Sequence, residues 1–411
     1  MRIVFIITDY GSFNNFLGEL AKEMIMRRHE VHVICHRNKT IDFPDKYDYE
    51  NLGIHFYFVD FLRSFRVASW FRTSYKIKKI IADIDPDIVN PHFTTAMFVT
   101  FLTGKIPYPT IGVFHGIGFP VIASPLKKFA FKSGEFFCCR NLDKILLINE
   151  MDYKIIKKAF PRKAIKYHSF GVGCDLTKFN PEKFSERDKL EIKKTLHIQP
   201  TDFVLMYTGR FTFFKGFGLV VKAFKYIEEN NLIKNIKLIL VGGKDEIHST
   251  GLSDEEENYL SNANNIIKTG FTGEVDRFLS VPDLFVFPCN KSRMPVTIME
   301  SIAMGVPVVT FDSRGCNDII HDNFNGKLLD IHSDHKTIAE AIVTLYSNPV
   351  QLSEFSANAL AQRGDFDRSL FIDESIQIFE NEIKVNSSFL GKSLMDIIKS
   401  TKGNIIAKNS E

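Results

Sequence analysis

The sequence predicts an α/β protein of two doubly wound, Rossmann-like domains facing each other across a cleft. Three observations carry that expectation. The chain has 411 residues, too many for one compact core and about right for two. Short β-branched runs alternate with helical patterns, the order that builds parallel sheets covered on both faces. The alternation then restarts after a polar stretch, Asn180–Pro200, the natural linker.

The first strand is Ile3–Thr8. Its apolar run ends at Asp9-Tyr-Gly11, too early for a secretory h-region with its cleavage site. Phe16–Arg28 follows as a helix, with Leu17, Leu20 and Met24 at helical spacing. Val31–Cys35 and Ile54–Val59 are the next strands, then a helix around Tyr75–Ala82, then strands at Asp87–Asn90, Thr110–Phe114 and Lys144–Ile148. The second series is Phe203–Tyr207, Ile236–Val241, Ile266–Thr269, Leu284–Phe287 and Pro307–Thr310. This places one domain over residues 1–180 and the other over 181–366. Asp367–Lys384 is a final amphipathic helix expected to pack back towards the first domain. The tail, 385–411, reads as frayed or as a membrane-surface helix.

Composition narrows the class. Hydrophobic residues make up 45% and charged residues 25%, as in a globular protein, and no window approaches the ~18–20 apolar residues of a spanning helix. The six cysteines form no C-x-x-C and read as reduced thiols of a cytoplasmic protein. Residues 1–170 hold 25 Lys and Arg against 16 Asp and Glu, whereas the remainder is net acidic. Cations lie among aromatics in Phe61–Lys76 and Leu126–Lys132. That pattern is either a solvated face over an aromatic core or a surface that rests on an anionic membrane. Nucleic acid is not expected, since no binding motif accompanies the charge.

Four constellations carry chemistry. Thr8-Asp-Tyr-Gly11-Ser12 is a strand-to-helix turn whose backbone can approach an anion, although the dinucleotide fingerprint G-x-G-x-x-G is absent. Tyr207-Thr-Gly-Arg210 … Lys215-Gly216 puts two cations at the carboxyl edge of the second sheet. They suit a diphosphate leaving group, or are plain surface charges. Pro295-Val296-Thr297-Ile-Met-Glu300 opens a helix with phosphate-binding amides, and the carboxylate one turn on can accept from vicinal hydroxyls. As an ordinary helix charge Glu300 would contribute only ~0.3–1 kcal/mol. Val113-Phe-His115-Gly-Ile-Gly118 ends a buried strand with a histidine that is either site-lining or structurally satisfied, and His92 in Asn90-Pro-His92 has the same two readings.

Taken in this order, these pieces resemble the retaining glycosyltransferases of family 4, with the GT-B fold, from residue 1 to about 384. The most specific portion is Leu284-Phe-Val-Phe-Pro-Cys … Pro295-Val-Thr-Ile-Met-Glu300-Ser-Ile-Ala-Met-Gly-Val-Pro-Val-Val, running on to Asp312-Ser-Arg-Gly-Cys-Asn-Asp-Ile-Ile320. Gly171-Val-Gly-Cys-Asp175 … Phe179 is similar to the family's hinge. The Arg-Gly-Cys step and Asn149-Glu-Met-Asp-Tyr153 resemble a bacterial subgroup that extends polyprenyl-diphosphate-linked precursors of O-antigen, capsule or exopolysaccharide, usually from UDP-sugars.

The resemblance implies roles. Glu300 would hold the donor ribose, and Arg210 and Lys215 the diphosphate. Backbone at Gly11, Ser12, Val296 and Thr297 would complete the cradle, while Met294, Pro295 and His115 line the donor-sugar pocket. It implies no metal and no cofactor beyond a UDP-sugar co-substrate, a lipid-linked glycan acceptor, and work at the inner membrane surface. The chain departs from the family at Ser292, where a glutamate is usual, at Arg293 in place of glycine, and at Phe16, where many members carry histidine. The serine motivates a competing reading, a non-catalytic relative that binds a nucleotide sugar or a partner. An epimerase of related fold is the third.

Overall fold

The computed structural model describes residues 1–38, 44–61, 67–245 and 247–385. They form two compact units. The first holds Met1–Leu147, Ile155–Lys166 and the described chain from Ile372; the second holds Ile148–Lys154 and Tyr167–Phe371.

In the first unit β1 (Arg2–Asp9) runs into α1 (Tyr10–Phe16) and α2 (Gly18–Met26), followed by β2 (Glu30–His36) and β3 (His55–Phe58). Next come α3 (Val67–Ile84), β4 (Ile88–Pro91), α4 (Thr94–Phe101), β5 (Ile111–Phe114), α5 (Pro125–Asn141) and β6 (Lys144–Leu147). The helix α6 (Glu150–Ala159) starts in the second unit and ends in the first, ahead of β7 (Ala164–Lys166). The strands pair in parallel in the order β3-β2-β1-β4 and β5-β6-β7. Parallel bridges Val89–Thr110 and His92–Val113 join the two sets. The strand order therefore reverses at β1, which has β2 on one side and β4 on the other.

The helix expected over Phe16–Arg28 is α2, Gly18–Met26, and a short helix that was not anticipated, α1, precedes it. Asp9 caps α1 early, its Oδ1 accepting the Ser12 amide at 2.9 Å, so the helical turn starts at Tyr10. At Gly18 a side chain has no room: a Cβ there would fall 2.1 Å from the Tyr49 hydroxyl, which donates to Asn14 Oδ1 at 2.6 Å. The chain breaks at Leu17 and restarts.

The second unit begins with α7 (Glu186–Thr195) and β8 (Phe203–Thr208), then α8 (Phe217–Glu229), β9 (Ile236–Val241), α9 (Asp254–Asn262) and β10 (Ile266–Gly270). It continues through α10 (Val275–Leu279), β11 (Leu284–Phe287), α11 (Val296–Ala303), β12 (Val308–Phe311), β13 (Gly326–Leu329), α12 (His335–Tyr346) and α13 (Pro349–Gln362). Its sheet is parallel throughout, in the order β10-β9-β8-β11-β12-β13. Asn180–Pro200, read from sequence as a linker, folds inside this unit. Ser185 and Asp188 form a capping box that starts α7, and Ile192 is buried. The edge strands β7 and β13 are unanticipated, being short and lysine-containing with no β-branched run.

The final helix, α14, covers residues 368–385. It starts in the second unit, and its turns from Ile372 belong to the first, where the Phe379 ring lies 6.4 Å from that of Phe5 on β1. No helix among the described residues is long and apolar enough to cross a membrane. The expected surface helix beyond 385 and the stretch 62–66 of the basic-aromatic segment lie outside the described residues. All six cysteines are free and buried.

Candidate active site

In open α/β sheets ligands bind where strand order reverses, outside the carboxyl ends of the strands. In the second unit that point lies between β8 and β11. The loop after β8 is Gly209–Gly216, and the loop after β11 is Pro288–Pro295. Backbone contacts lock them together. Gly216 has φ +77°, and a Cβ there would fall 2.1 Å from the Pro288 carbonyl oxygen. The Cys289 thiol and the Asn290 amide both donate to the Phe214 carbonyl, at 3.3 Å each. The turn after β12 joins in: Gly315 has φ +81°, and a Cβ there would meet the Arg293 carbonyl at 2.1 Å. Only glycine fits either position.

Polar groups gather at this point without protein partners. Thr208 Oγ1 at the end of β8, Thr212 Oγ1, Asn290 Oδ1 and Thr297 Oγ1 are all buried and unbonded among the described residues. Buried polar atoms are almost always paired, so four orphans on or beside two adjoining loops point to a missing ligand. The N-terminus of α11 agrees. Pro295 caps it with no side-chain hydrogen bond, whereas α7 and α9 each have a full capping box. The amides of Val296 and Thr297 thus remain for an anion.

The charged groups divide. Lys215 is half-buried, with Nζ 5.6 Å from the Phe287 ring centroid and no carboxylate partner among the described residues. Arg210 is instead engaged: its Nη1 bonds Asp245, which also accepts from His248 Nδ1 at 2.9 Å and from the amides of Ile247 and His248. These bonds, that of His248 foremost, hold Asp245 well below the usual carboxylate range. The expected pair of free cations is therefore one free lysine and one arginine already in an ion pair. Glu300 is half-buried and its carboxylate has no bonded partner among the described residues, and burial pushes its carboxyl up to about 7 against the pull of Lys178 and Arg368, with Asp276 adding to the rise. An unpartnered carboxylate in such a place is disposed to accept hydroxyl donors.

Ser292 is buried. Its carbonyl accepts from Arg314 Nε at 3.3 Å, and Arg314 Nη1 bonds Asp152 Oδ1 at 2.9 Å in a buried pair. This pair fixes the loop from behind. Sequence reasoning missed it, although Asn149-Glu-Met-Asp152 carries a turn signal: Asn149 Oδ1 accepts the Asp152 amide at 2.9 Å. Met294 lies against the hinge, its Cγ 3.4 Å from where a Gly171 Cβ would be.

The remaining expected residues belong to the first unit, also at a reversal point. Gly11 is buried in α1, and Ser12 spends both its amide and its hydroxyl on Asp9, so this amide is taken. His115 follows β5 and His92 follows β4. Asn90 Nδ2 donates to the Ile111 carbonyl, so its Oδ1 accepts from His92 Nε2 at 2.6 Å. His92 Nδ1 then accepts from His115 Nε2 at 2.9 Å, which sets both tautomers. Burial, with His115 alongside, keeps His92 well below its ordinary range and hence neutral. Phe93 stacks on His115 at 4.5 Å and Phe16 lies 5.0 Å from it. Phe93 has φ +64°, an unusual conformation for a bulky residue and one that clusters at functional sites.

Two family models match the chain in tandem: Glycosyltransferase Family 4 over residues 14–177 and Glycosyl transferases group 1 over residues 188–362. The chain belongs to glycosyltransferase family 4, with the GT-B fold. This glycosyltransferase is similar to the UDP-Gal:alpha-D-GlcNAc-diphosphoundecaprenol alpha-1,3-galactosyltransferase of Escherichia coli, 24% identical over 363 residues, covering 84% of this chain and 89% of that one. It is also similar to the N,N'-diacetylbacillosaminyl-diphospho-undecaprenol alpha-1,3-N-acetylgalactosaminyltransferase of Campylobacter jejuni, 23% identical over 392 residues, covering 93% and 100%. Among solved structures, Anabaena HepE in complex with UDP shares the fold with a TM-score of 0.72 at 16% identity, covering 93% of this glycosyltransferase and all of HepE.

Proposed function

We propose that this glycosyltransferase moves a hexosyl or N-acetylhexosaminyl group from a UDP-sugar to a hydroxyl of a polyprenyl-diphosphate-linked glycan, with retention of anomeric configuration. The observation that carries the reading is the set of unpaired groups at the β8–β11 reversal point: the α11 amides, Lys215, Glu300 and four orphaned buried oxygens. Glu300 receives the ribose hydroxyls. Lys215 and the α11 N-terminus meet the diphosphate, where charge builds as the bond to the sugar breaks. Arg210 assists once Asp245 shares it. The acceptor oxygen bonds the anomeric carbon as the phosphate oxygen leaves from the same face, and that phosphate oxygen takes the acceptor proton. No metal is required in this scheme, since Lys215 and the helix amides supply the positive charge. The names of the Escherichia coli and Campylobacter jejuni relatives support the acceptor class and, for the former, the donor nucleotide. An acceptor of this kind places the enzyme at the cytoplasmic face of the membrane.

The experiment is transfer of labelled sugar from UDP donors to a short polyprenyl-diphosphate-linked glycan, with product configuration read by NMR and the rate repeated in EDTA. A transferred sugar in the donor's own anomeric configuration, at an EDTA-independent rate, is the expected result. The second reading, a non-catalytic nucleotide-sugar binder, draws on Ser292, a buried neutral residue where the family usually carries a glutamate. Tight UDP binding with no transfer from any donor would favour it.

A further inference from the structure

Helix α5 begins in a way the core does not explain. Every residue from Ala123 to Ser133 is exposed, including the first two turns of the helix. Within it Leu126 is 78% and Phe129 70% accessible, values extreme for large apolar side chains. Three or four residues apart on a helix lie on one face, so Leu126, Phe129 and Ser133 share an outward strip. Lys127, Lys128 and Lys132 flank it, and no acidic residue occurs between Gly116 and Gly134. A second exposed set, Phe71 and Tyr75 on α3, adjoins this end of the molecule through Phe98 of α4. The Phe98 ring lies 6.1 Å from Trp70 and within 4 Å of the Cβ position of Gly134.

We propose that the first two turns of α5 form a membrane-surface element, Leu126 and Phe129 entering the headgroup region while Lys127, Lys128 and Lys132 pair with anionic lipid. The proposal deepens the functional reading by naming the segment that brings the enzyme to a lipid-linked acceptor. Charge selects this occupant: a protein partner would need an acidic surface, whereas a bilayer supplies anionic and apolar layers together, matched to lysines beside Leu and Phe. The same helix holds the loop after His115. Its buried Glu135 accepts the Gly118 amide at 2.6 Å, the Phe119 amide at 3.2 Å and the Thr94 hydroxyl at 3.1 Å. The loop after His115 is thus tied to the helix that meets the lipid, fixing its height above the bilayer.

The test is flotation of the full chain with vesicles of phosphatidylcholine containing phosphatidylglycerol, against phosphatidylcholine alone. Binding to the anionic vesicles, weakened by salt, is expected. The Leu126→Ser/Phe129→Ser variant should lose at least tenfold, and Lys127→Gln/Lys128→Gln about fivefold per lysine. Both should keep the wild-type thermal shift with UDP and wild-type turnover on a water-soluble acceptor analogue, which shows an intact fold. Equal flotation of wild type and the Leu126→Ser/Phe129→Ser variant overturns the proposal, as does equal binding to neutral and anionic vesicles. A dimer that the same variant dissociates also overturns it, in favour of a second copy of the chain. The two readings fail separately: lipid binding lost in the variant but no transfer to any acceptor sinks the functional reading alone.

Discussion

Replacing Glu300 by glutamine tests the centre of the site, because the structure predicts opposite effects on stability and on binding. In the folded chain the carboxyl titrates at about 7, against 4.5 without burial. The gap corresponds to about 3 kcal/mol. Between these two values the folded state holds a proton that the unfolded state has released. Stability therefore falls as pH rises through this window; the cost is absent below 4.5 and fully present above 7. Glutamine cannot ionise and escapes it. Denaturant unfolding should find Glu300→Gln equal to wild type near about pH 4.5, and more stable by up to about 3 kcal/mol near about pH 8.

Binding runs the other way. Hydroxyl donors stabilise the ionised form, so UDP affinity of the wild type should rise as pH passes through about 7. Loss of hydrogen bonds to a charged acceptor should weaken UDP by about 1.5–3 kcal/mol in the variant at about pH 8, roughly 10- to 100-fold, with a flat pH profile. Isothermal titration across the same pH series reads both. A variant less stable than wild type at high pH would show that the carboxylate does structural work in the free protein. Unchanged UDP affinity would remove Glu300 from the site.

Lys215→Ala should cut kcat/KM by about 10²–10³ with an unchanged unfolding midpoint, since the lysine has no carboxylate partner to lose; steady-state kinetics beside a denaturation curve checks it. Asp152→Ala removes the carboxylate of the buried Asp152–Arg314 pair and should destabilise the second unit by about 3–5 kcal/mol, read by urea unfolding. His92→Leu removes the acceptor for His115 Nε2 and the donor to Asn90, costing about 1–3 kcal/mol, while UDP affinity should hold because neither side chain is among the groups given to the nucleotide. Asp245→Asn should free Arg210 and strengthen UDP binding modestly at low salt, an effect that titration at two ionic strengths would expose.

The sequence reading and the structure agree most closely where information is local. Each long β-branched run became a strand, and the turn ending at Gly216 follows β8 as expected, because only glycine tolerates the required φ and approach distance. Local signals also misled. Helical spacing over Phe16–Arg28 found α2, yet what forbids a side chain at its first residue, Gly18, is Tyr49, thirty-one residues on. The partners that tune the site are all of this distant kind: Asp245 for Arg210, Asp152 for Arg314, His115 for His92. No periodicity encodes them, so residue type alone made Arg210 look like a free fork and left His92 as a second choice.

A site built from unpaired groups costs the free protein stability, and the way this chain tolerates that cost says what the site is for. Each orphaned oxygen at the β8–β11 point forgoes a bond that water would have given it, and Glu300 sits where its charge is disfavoured. A loop held only by side chains could relax and pair these groups with one another. Here the relaxation is blocked. Gly216 against Pro288 and Gly315 against Arg293 pack backbone on backbone, and Arg314 clamps the carbonyl of Ser292. The groups are kept apart at fixed positions, the condition under which a ligand gains most from binding because no reorganisation precedes it. Loosening the clamp without touching any ligand-facing group should then trade affinity for stability. Gly315→Ala pushes the Arg293 carbonyl, and the 288–295 loop with it, away from the turn after β12, and the displaced loop can pair Asn290 or Thr297 internally. Its UDP affinity should fall more steeply than its unfolding free energy, and a variant that lost stability while binding UDP as wild type would break this account of the site.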